Sequence, residues 1–333
     1  RPREHQDAAE PARTRRLAMH GRRRWARRRA PRYRRPIPDL SSQPSRALHV
    51  SASAAERLAA ARRFLCALDP RAEALIVSAT PAASLWLVAS VLPPNSGRFG
   101  WQRRTLETLA AELALPALAR AGLTPISSLG AQALCLRVLS ELRVARALGR
   151  LAPIGDRPGF GRALSRCLEE LRMTGLAPAA LAQHDADLAR ALTAYGQSLE
   201  RERLADRATV LRLAAAALAE AKPSPAALVG LDVPVNHPLE AALIERLCAR
   251  HPRACVTVVQ GDPRSQHAWR SALGPDAIAA VLEPAADHAL ARLQRRLFAS
   301  DDPSPPPPHS TDSAAPAAVG IVSSPGESRE CVE

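Results

Sequence analysis

The sequence predicts an α/β fold in which a parallel sheet is interrupted by an all-α insertion. Three observations carry this. Leu75 to Val91 reads as a buried strand, a tight turn and a helix, the layout of a nucleotide-binding P-loop. Short apolar runs return at Ala227–Leu231 and Cys255–Val259, separated by a helical pattern at about 238–250, and strands alternating with helices imply parallel pairing. Between these parts lie several helical patterns with no strand among them.

Each element has its own local reason. Ser53 is placed to cap a helix over about 54–68, with Leu58, Phe64, Leu65 and Leu68 on its apolar side. Pro93-Pro94-Asn95-Ser96-Gly97 is a turn. A helix runs from about Thr105 to Gly122, with Leu106, Leu109, Leu113 and Leu118 in one stripe, and Pro116 is expected to kink or split it. Further helices are expected at 129–149, 160–174, 185–203 and 205–221. Gly122, Gly149 and Gly175 stand at positions that suit C-caps. Asp301 to Pro316 is a Pro/Ser/Ala linker, and Val319–Val322 reads as a further strand before a helix start at Gly326.

The turn at Ser78-Ala79-Thr80-Pro81-Ala82-Ala83-Ser84 lacks the chemistry that its layout suggests. A working phosphate loop needs glycines for close backbone approach, then a Lys and a Ser/Thr for the phosphates and Mg²⁺. There is no Gly and no Lys here, and Pro81 removes a backbone donor. Ser78, Thr80 and Ser84 are therefore the remains of a degenerate nucleotide site, and no ATP hydrolysis is expected. No cofactor is expected in this chain.

The net charge of +14 over 333 residues is unevenly spread. Residues 1–35 hold fourteen Arg against Glu4, Asp7 and Glu10, a local net of +11, which leaves +3 for the other 298. Residues 1–48 are Arg- and Pro-rich without an apolar stripe and are expected to form a disordered arm. Arg22, Arg23, Arg24, Trp25, Arg27, Arg28 and Arg29 have the composition of a DNA-binding tract, cations for phosphate and an aromatic for stacking. The bland alternative is upstream sequence translated from a GC-rich genome. The chain opens on Arg1 and stops in what reads as a helix start, so a piece of a longer product is expected.

The six cysteines form no C-x-x-C pair and sit mostly at apolar positions, which suits reduced, buried thiols in the cytoplasm. The uncharged stretch Ala74–Gly97 is long enough to span a bilayer, but it holds Pro81 and several hydroxyls. It reads as a strand plus a core helix, and no membrane contact is expected.

Two strand ends deserve a chemical reading. Asp232 closes the apolar run 228–231, where a Walker B carboxylate would hold Mg²⁺, but Val233 stands where a catalytic acid would follow. The simpler reading is an Asp that caps the turn into Pro234. The stretch Val256 to Arg270 resembles the strand-to-loop motif of superfamily 1 helicases, with Gly261-Asp262, Gln266, Trp269 and Arg270. That resemblance implies a phosphate-sensing role for Gln266 and DNA contacts for Trp269 and Arg270. The spacing is one residue short and Gln266 is displaced by one, so a plain polar loop after a strand stays open. His184, Asp185, Asp187 and His237 read as helix-start residues rather than a metal site, and no metal is expected.

Several segments in order resemble the N-terminal part of AddB-type helicase–nuclease subunits of the PD-(D/E)XK nuclease family. They are Arg103–Ala110, Pro125–Leu129, Pro158-Gly159-Phe160, Glu170-Leu171-Arg172, Asp187-Leu188-Ala189 with Tyr195, and Ser324–Glu330. The resemblance covers about 70–333. It implies a helicase-like core at 49–128 and 226–300, a helical insertion at 129–225, the linker at 301–316, and a truncated second helicase-like domain from 317 to 333. It further implies a non-catalytic part of a protein that processes DNA double-strand breaks for recombinational repair, with DNA and a helicase subunit as partners. The nuclease carboxylates of such proteins would lie beyond Glu333. The alternative is a helical adaptor or nucleic-acid-binding protein with a basic arm, unrelated to helicases.

Overall fold

A computed structural model describes residues 45–93, 96–283 and 293. The chain is α/β, with a six-stranded sheet in which every pairing is parallel. The strands are β1 (Arg46–Ser51), β2 (Ala74–Ser78), β3 (Trp101–Thr105), β6 (Ala227–Leu231), β7 (Ala254–Val259) and β8 (Ile278–Val281). Their order is β3-β2-β6-β7-β1-β8. A second, two-stranded parallel sheet joins β4 (Thr124–Pro125) to β5 (Leu204–Ala205).

The central strands are continuous apolar runs because helices cover both faces of the sheet. Successive residues of β6 show this directly. Leu228 packs in one core cluster with α3 (Leu106–Ala121), α8 (Arg207–Glu220), α9 (Pro238–Arg250) and α10 (Pro263–Leu273). Ala227, Val229 and Leu231 point the other way, into a cluster with α1 (Ala54–Cys66) and α2 (Pro81–Val91). β7 divides likewise, with Val256 and Val258 on the first side and Cys255 on the second.

Between β3 and β6 the chain leaves the six-stranded sheet. Helices α4 (Ser128–Val144), α5 (Phe160–Thr174), α6 (Pro178–Ala182) and α7 (Ala186–Arg201), with a 3₁₀ turn at Gly149–Ile154, share an apolar cluster of their own. Leu134, Leu139, Leu164, Leu168, Leu192 and Tyr195 are at its centre. α8 was expected among these helices, but its Leu211 and Leu218 belong to the core over the large sheet.

Several local expectations hold. Ser53 caps α1 by accepting the Glu56 N–H, and Gly122 and Gly175 are left-handed C-caps with φ of 63° and 74°. Others need correction. The expected arm boundary at residue 48 falls inside β1, an interior strand in which Ala47 and Leu48 are buried. The rest of the Arg-rich head, including Arg22 to Arg29, lies outside the described residues, as does the segment 301–333. Pro116 does not split α3, which continues to Ala121. α4 ends at Val144 with Ala145 as its C-cap, so Gly149 does not cap it. Among the described residues no helix is long and apolar enough to cross a membrane, and Ala74–Gly97 holds β2 and α2.

One buried and one partly buried histidine make stability depend on pH. His251 is 3% exposed, and its Nδ1–H donates to the Ala226 carbonyl at 2.8 Å. Burial is the main cause that lowers its pKa from 6.5, partly opposed by that hydrogen bond and aided by Arg250. Burial, then Arg63, lowers His49 as well. A histidine with a lowered folded pKa supports the fold only while neutral. Its contribution is complete above the unfolded value of 6.5 and is lost as pH falls through the interval below it. The urea midpoint is therefore expected to be level above about pH 7 and to fall between about pH 6.5 and 5. Replacing His251 with Asn should flatten that fall, and an unchanged slope would remove His251 as its cause.

Candidate functional site

In open parallel sheets a ligand crevice forms outside the carboxyl ends of two neighbouring strands whose connections leave to opposite sides. Here those strands are β1 and β7. From β1 the chain runs through α1 to β2, across β7 and β6; from β7 it runs through α10 over the other face to edge strand β8. The carboxyl end of β1, Ser51-Ala52-Ser53, thus faces Gln260 at the end of β7, whose N–H donates to the Ser51 carbonyl at 3.0 Å.

Side chains of the protein itself fill this crevice. Arg57, one turn into α1, reaches back across the strand ends. Its Nη1 donates to the Ser51 carbonyl at 2.6 Å and its Nε to Asp232 Oδ1 at 2.8 Å. The same carboxylate oxygen accepts from Thr257 Oγ1 at 2.7 Å. The Asp232 N–H donates to the Thr257 carbonyl at 3.1 Å. Asp232 is left-handed, with φ of 51°, a conformation that Asp tolerates better than most residues. Arg57 has a side chain only 7% exposed and Asp232 one 25% exposed.

The chemistry that follows is restrictive. A divalent ion at Asp232 would have to displace a buried guanidinium. An anion at the start of α1 would meet Glu56, whose carboxylate already complements the helix dipole there. Asp232 therefore has a partner that neither sequence reading supplied: it is neither a free Walker B carboxylate nor a plain turn cap.

The other predicted positions sit at the carboxyl ends of neighbouring strands, each bonded locally. Ser78, at the end of β2, donates to the Thr80 carbonyl at 2.8 Å. Thr80 caps α2 by accepting the Ala83 N–H, and Ser84 Oγ donates to the Pro81 carbonyl at 3.0 Å. This turn follows β2, which is not one of the two strands at the switch point. Asp262 caps α10 through the Ser265 N–H, and Gln266 Nε2 turns back to the Val259 carbonyl at 3.3 Å. The expected polar loop is helix α10 from Pro263 onward. This overturns one site reading: Trp269 is fully buried, and its indole N–H donates to the Val233 carbonyl at 3.1 Å, so it offers no stacking surface to DNA. Arg270 is exposed.

The helix-start reading of the acidic residues fits. Asp185 caps α7 through the Leu188 N–H, and Glu240 accepts the His237 N–H at the start of α9. Among the described residues no group of His, Cys, Asp and Glu is arranged to hold a metal. Sequence reasoning missed Arg57, Ser51 and Thr257. The available signal was Ala47, Leu48 and Val50, just before the Ser53 cap, which the adjoining arginines obscured. No protein-family model matches the chain, and no curated protein matches it.

Proposed function

We propose that this chain is a non-catalytic N-terminal part of a helicase–nuclease subunit that handles DNA ends during double-strand break repair. One observation carries the non-catalytic part: Arg57 and Asp232 pair across the switch-point crevice, so the carboxylate that would hold a metal is already neutralised. On this reading the parallel sheet is a helicase-like core and α4 to α7 are its all-α insertion. The AddB-like segments fall at element starts: Thr105 caps α3, Ser127 caps α4 and Gly159 precedes α5. A cytoplasmic protein whose partners are DNA and a helicase subunit fits this reading.

The test is DNA binding by the full chain across a salt series, alongside ATP turnover. The described body offers no excess of cations at the crevice, so tight binding should come from the Arg-rich head. It should be largely independent of sequence and fall about 10³-fold or more between about 50 and 200 mM salt, through counterion release. Deleting residues 1–35 should flatten that dependence, and no ATP should be hydrolysed. Absence of DNA binding, or a turnover abolished by Asp232→Ala, would overturn the proposal.

A further inference from the structure

The helical insertion carries positive charge that the fold leaves unanswered. Residues 128–168 hold seven Arg against Glu141 and Asp156, a local net of +5, whereas residues 36–333 together carry +3. Arg137 is paired with Glu202, Arg143 with Asp156 and Arg150 with Asp185. Arg146, Arg157, Arg162 and Arg166 are exposed, and their side chains have no hydrogen bond or ion pair among the described residues.

This charge gathers around a depression. It occupies about 450 Å³ between α4 and the start of α5, and Arg143, Arg157 and Arg162 line it together with Gln132 and Ser140. The one carboxylate on its wall, Asp156, is the one that Arg143 already holds. Arg166 follows Arg162 by four residues, so it lies on the same face of α5 and carries the charge beyond the depression.

The placement works against the fold. Arg162 stands in the first turn of α5, at the positive end of the helix dipole, and no acidic side chain stands in that turn. A cation there costs stability. Like charges set around a concave surface raise the potential that an anionic partner meets. Guanidinium forks match phosphate oxygens in particular.

We propose that this face of the insertion binds the phosphate backbone of nucleic acid. One phosphate sits in the depression among Arg143, Arg157 and Arg162, and Arg166 meets the backbone beyond it. A lone phosphate would use the depression and leave Arg166 unanswered; a repeating anion answers both. The inference rests on the DNA-handling reading and adds a contact on the body to that of the Arg-rich head.

The test uses the full chain and a short DNA duplex across a salt series. Arg157→Gln/Arg162→Gln should reduce the slope of log K against log salt by about 2, since each phosphate contact contributes about 0.9. The control Arg62→Gln/Arg246→Gln removes two exposed arginines from α1 and α9, has the same net charge, and should keep the parent slope. Both double variants should keep the parent melting temperature. Equal slopes in the two variants, with a parent that binds DNA, overturn this surface alone. A parent that binds no DNA overturns it together with the proposed function. Pyrophosphate, titrated into the parent by calorimetry, probes the free ligand: saturable binding together with equal slopes would make the depression a site for a small phosphate compound and overturn the proposal.

Discussion

Replacing Asp232 with alanine is expected to lower the folding stability by about 3 to 5 kcal/mol, the usual cost of breaking one side of a buried ion pair. The loss has two separable parts. First, Arg57 keeps its charge in a site where its side chain is 7% exposed, with the Ser51 carbonyl as its remaining acceptor. Second, alanine must adopt the left-handed backbone at φ of 51°, which costs about 1 to 2 kcal/mol for a residue without a short polar side chain. Asp232→Asn removes the charge while keeping an acceptor and the left-handed tolerance, so it should cost clearly less. Arg57→Met should also cost less, since the partly exposed carboxylate keeps Thr257 and gains water. Combining Arg57→Met with Asp232→Asn should recover part of the summed loss, because neither partner is then left charged. Urea denaturation of the four variants measures all of this. A loss below about 0.5 kcal/mol for Asp232→Ala would mean that the pair adds nothing beyond a surface contact. The same pair carries a functional consequence. Mg-ATP should leave the parent unfolding midpoint unmoved, because a ligand stabilises only what it binds, and Arg57 already sits on the carboxylate.

Helices and the central strands β2, β6 and β7 were legible because their signals are local. β6 and α9 follow the apolar run at 227–231 and the pattern at 238–250, and α5 occupies the expected 160–174. The edge strands were not legible. β3 is Trp-Gln-Arg-Arg-Thr, polar and partly exposed, and β8 is only four residues, mostly exposed. An edge strand buries little, so its sequence has little reason to be apolar. β1 was hidden for a different reason: its apolar residues abut an Arg-rich segment whose composition dominates any window that includes both. That omission also hid the site. Arg57 and Asp232 are 175 residues apart, and they meet only because β1 enters the sheet next to β7. No spacing rule reaches across that distance. The α10 start, by contrast, could have been found, since Asp262 followed by Pro263 is a cap with proline in the first turn.

Trp269 marks the other large effect. Its replacement by alanine should cost about 3 to 5 kcal/mol, the range for emptying a buried aromatic site. The indole is fully buried between α10 and the sheet, against Gly230 of β6, where an added Cβ would stand 3.3 Å from the ring. Gly230 therefore gives the ring its room, and the Val233 carbonyl at 3.1 Å gives its N–H a partner. Trp269→Phe keeps most of the volume, removes that donor and should cost about 1 to 3 kcal/mol, because the carbonyl is left unsatisfied. Since the alanine variant risks not folding, the phenylalanine variant decides between burial and a surface role. With the ring inside, Trp269→Phe lowers the urea midpoint and leaves binding to single-stranded DNA as in the parent. A variant that kept its midpoint and lost DNA binding would put the ring at the surface, as a stacking platform, and would contradict the packing of α10 on the sheet.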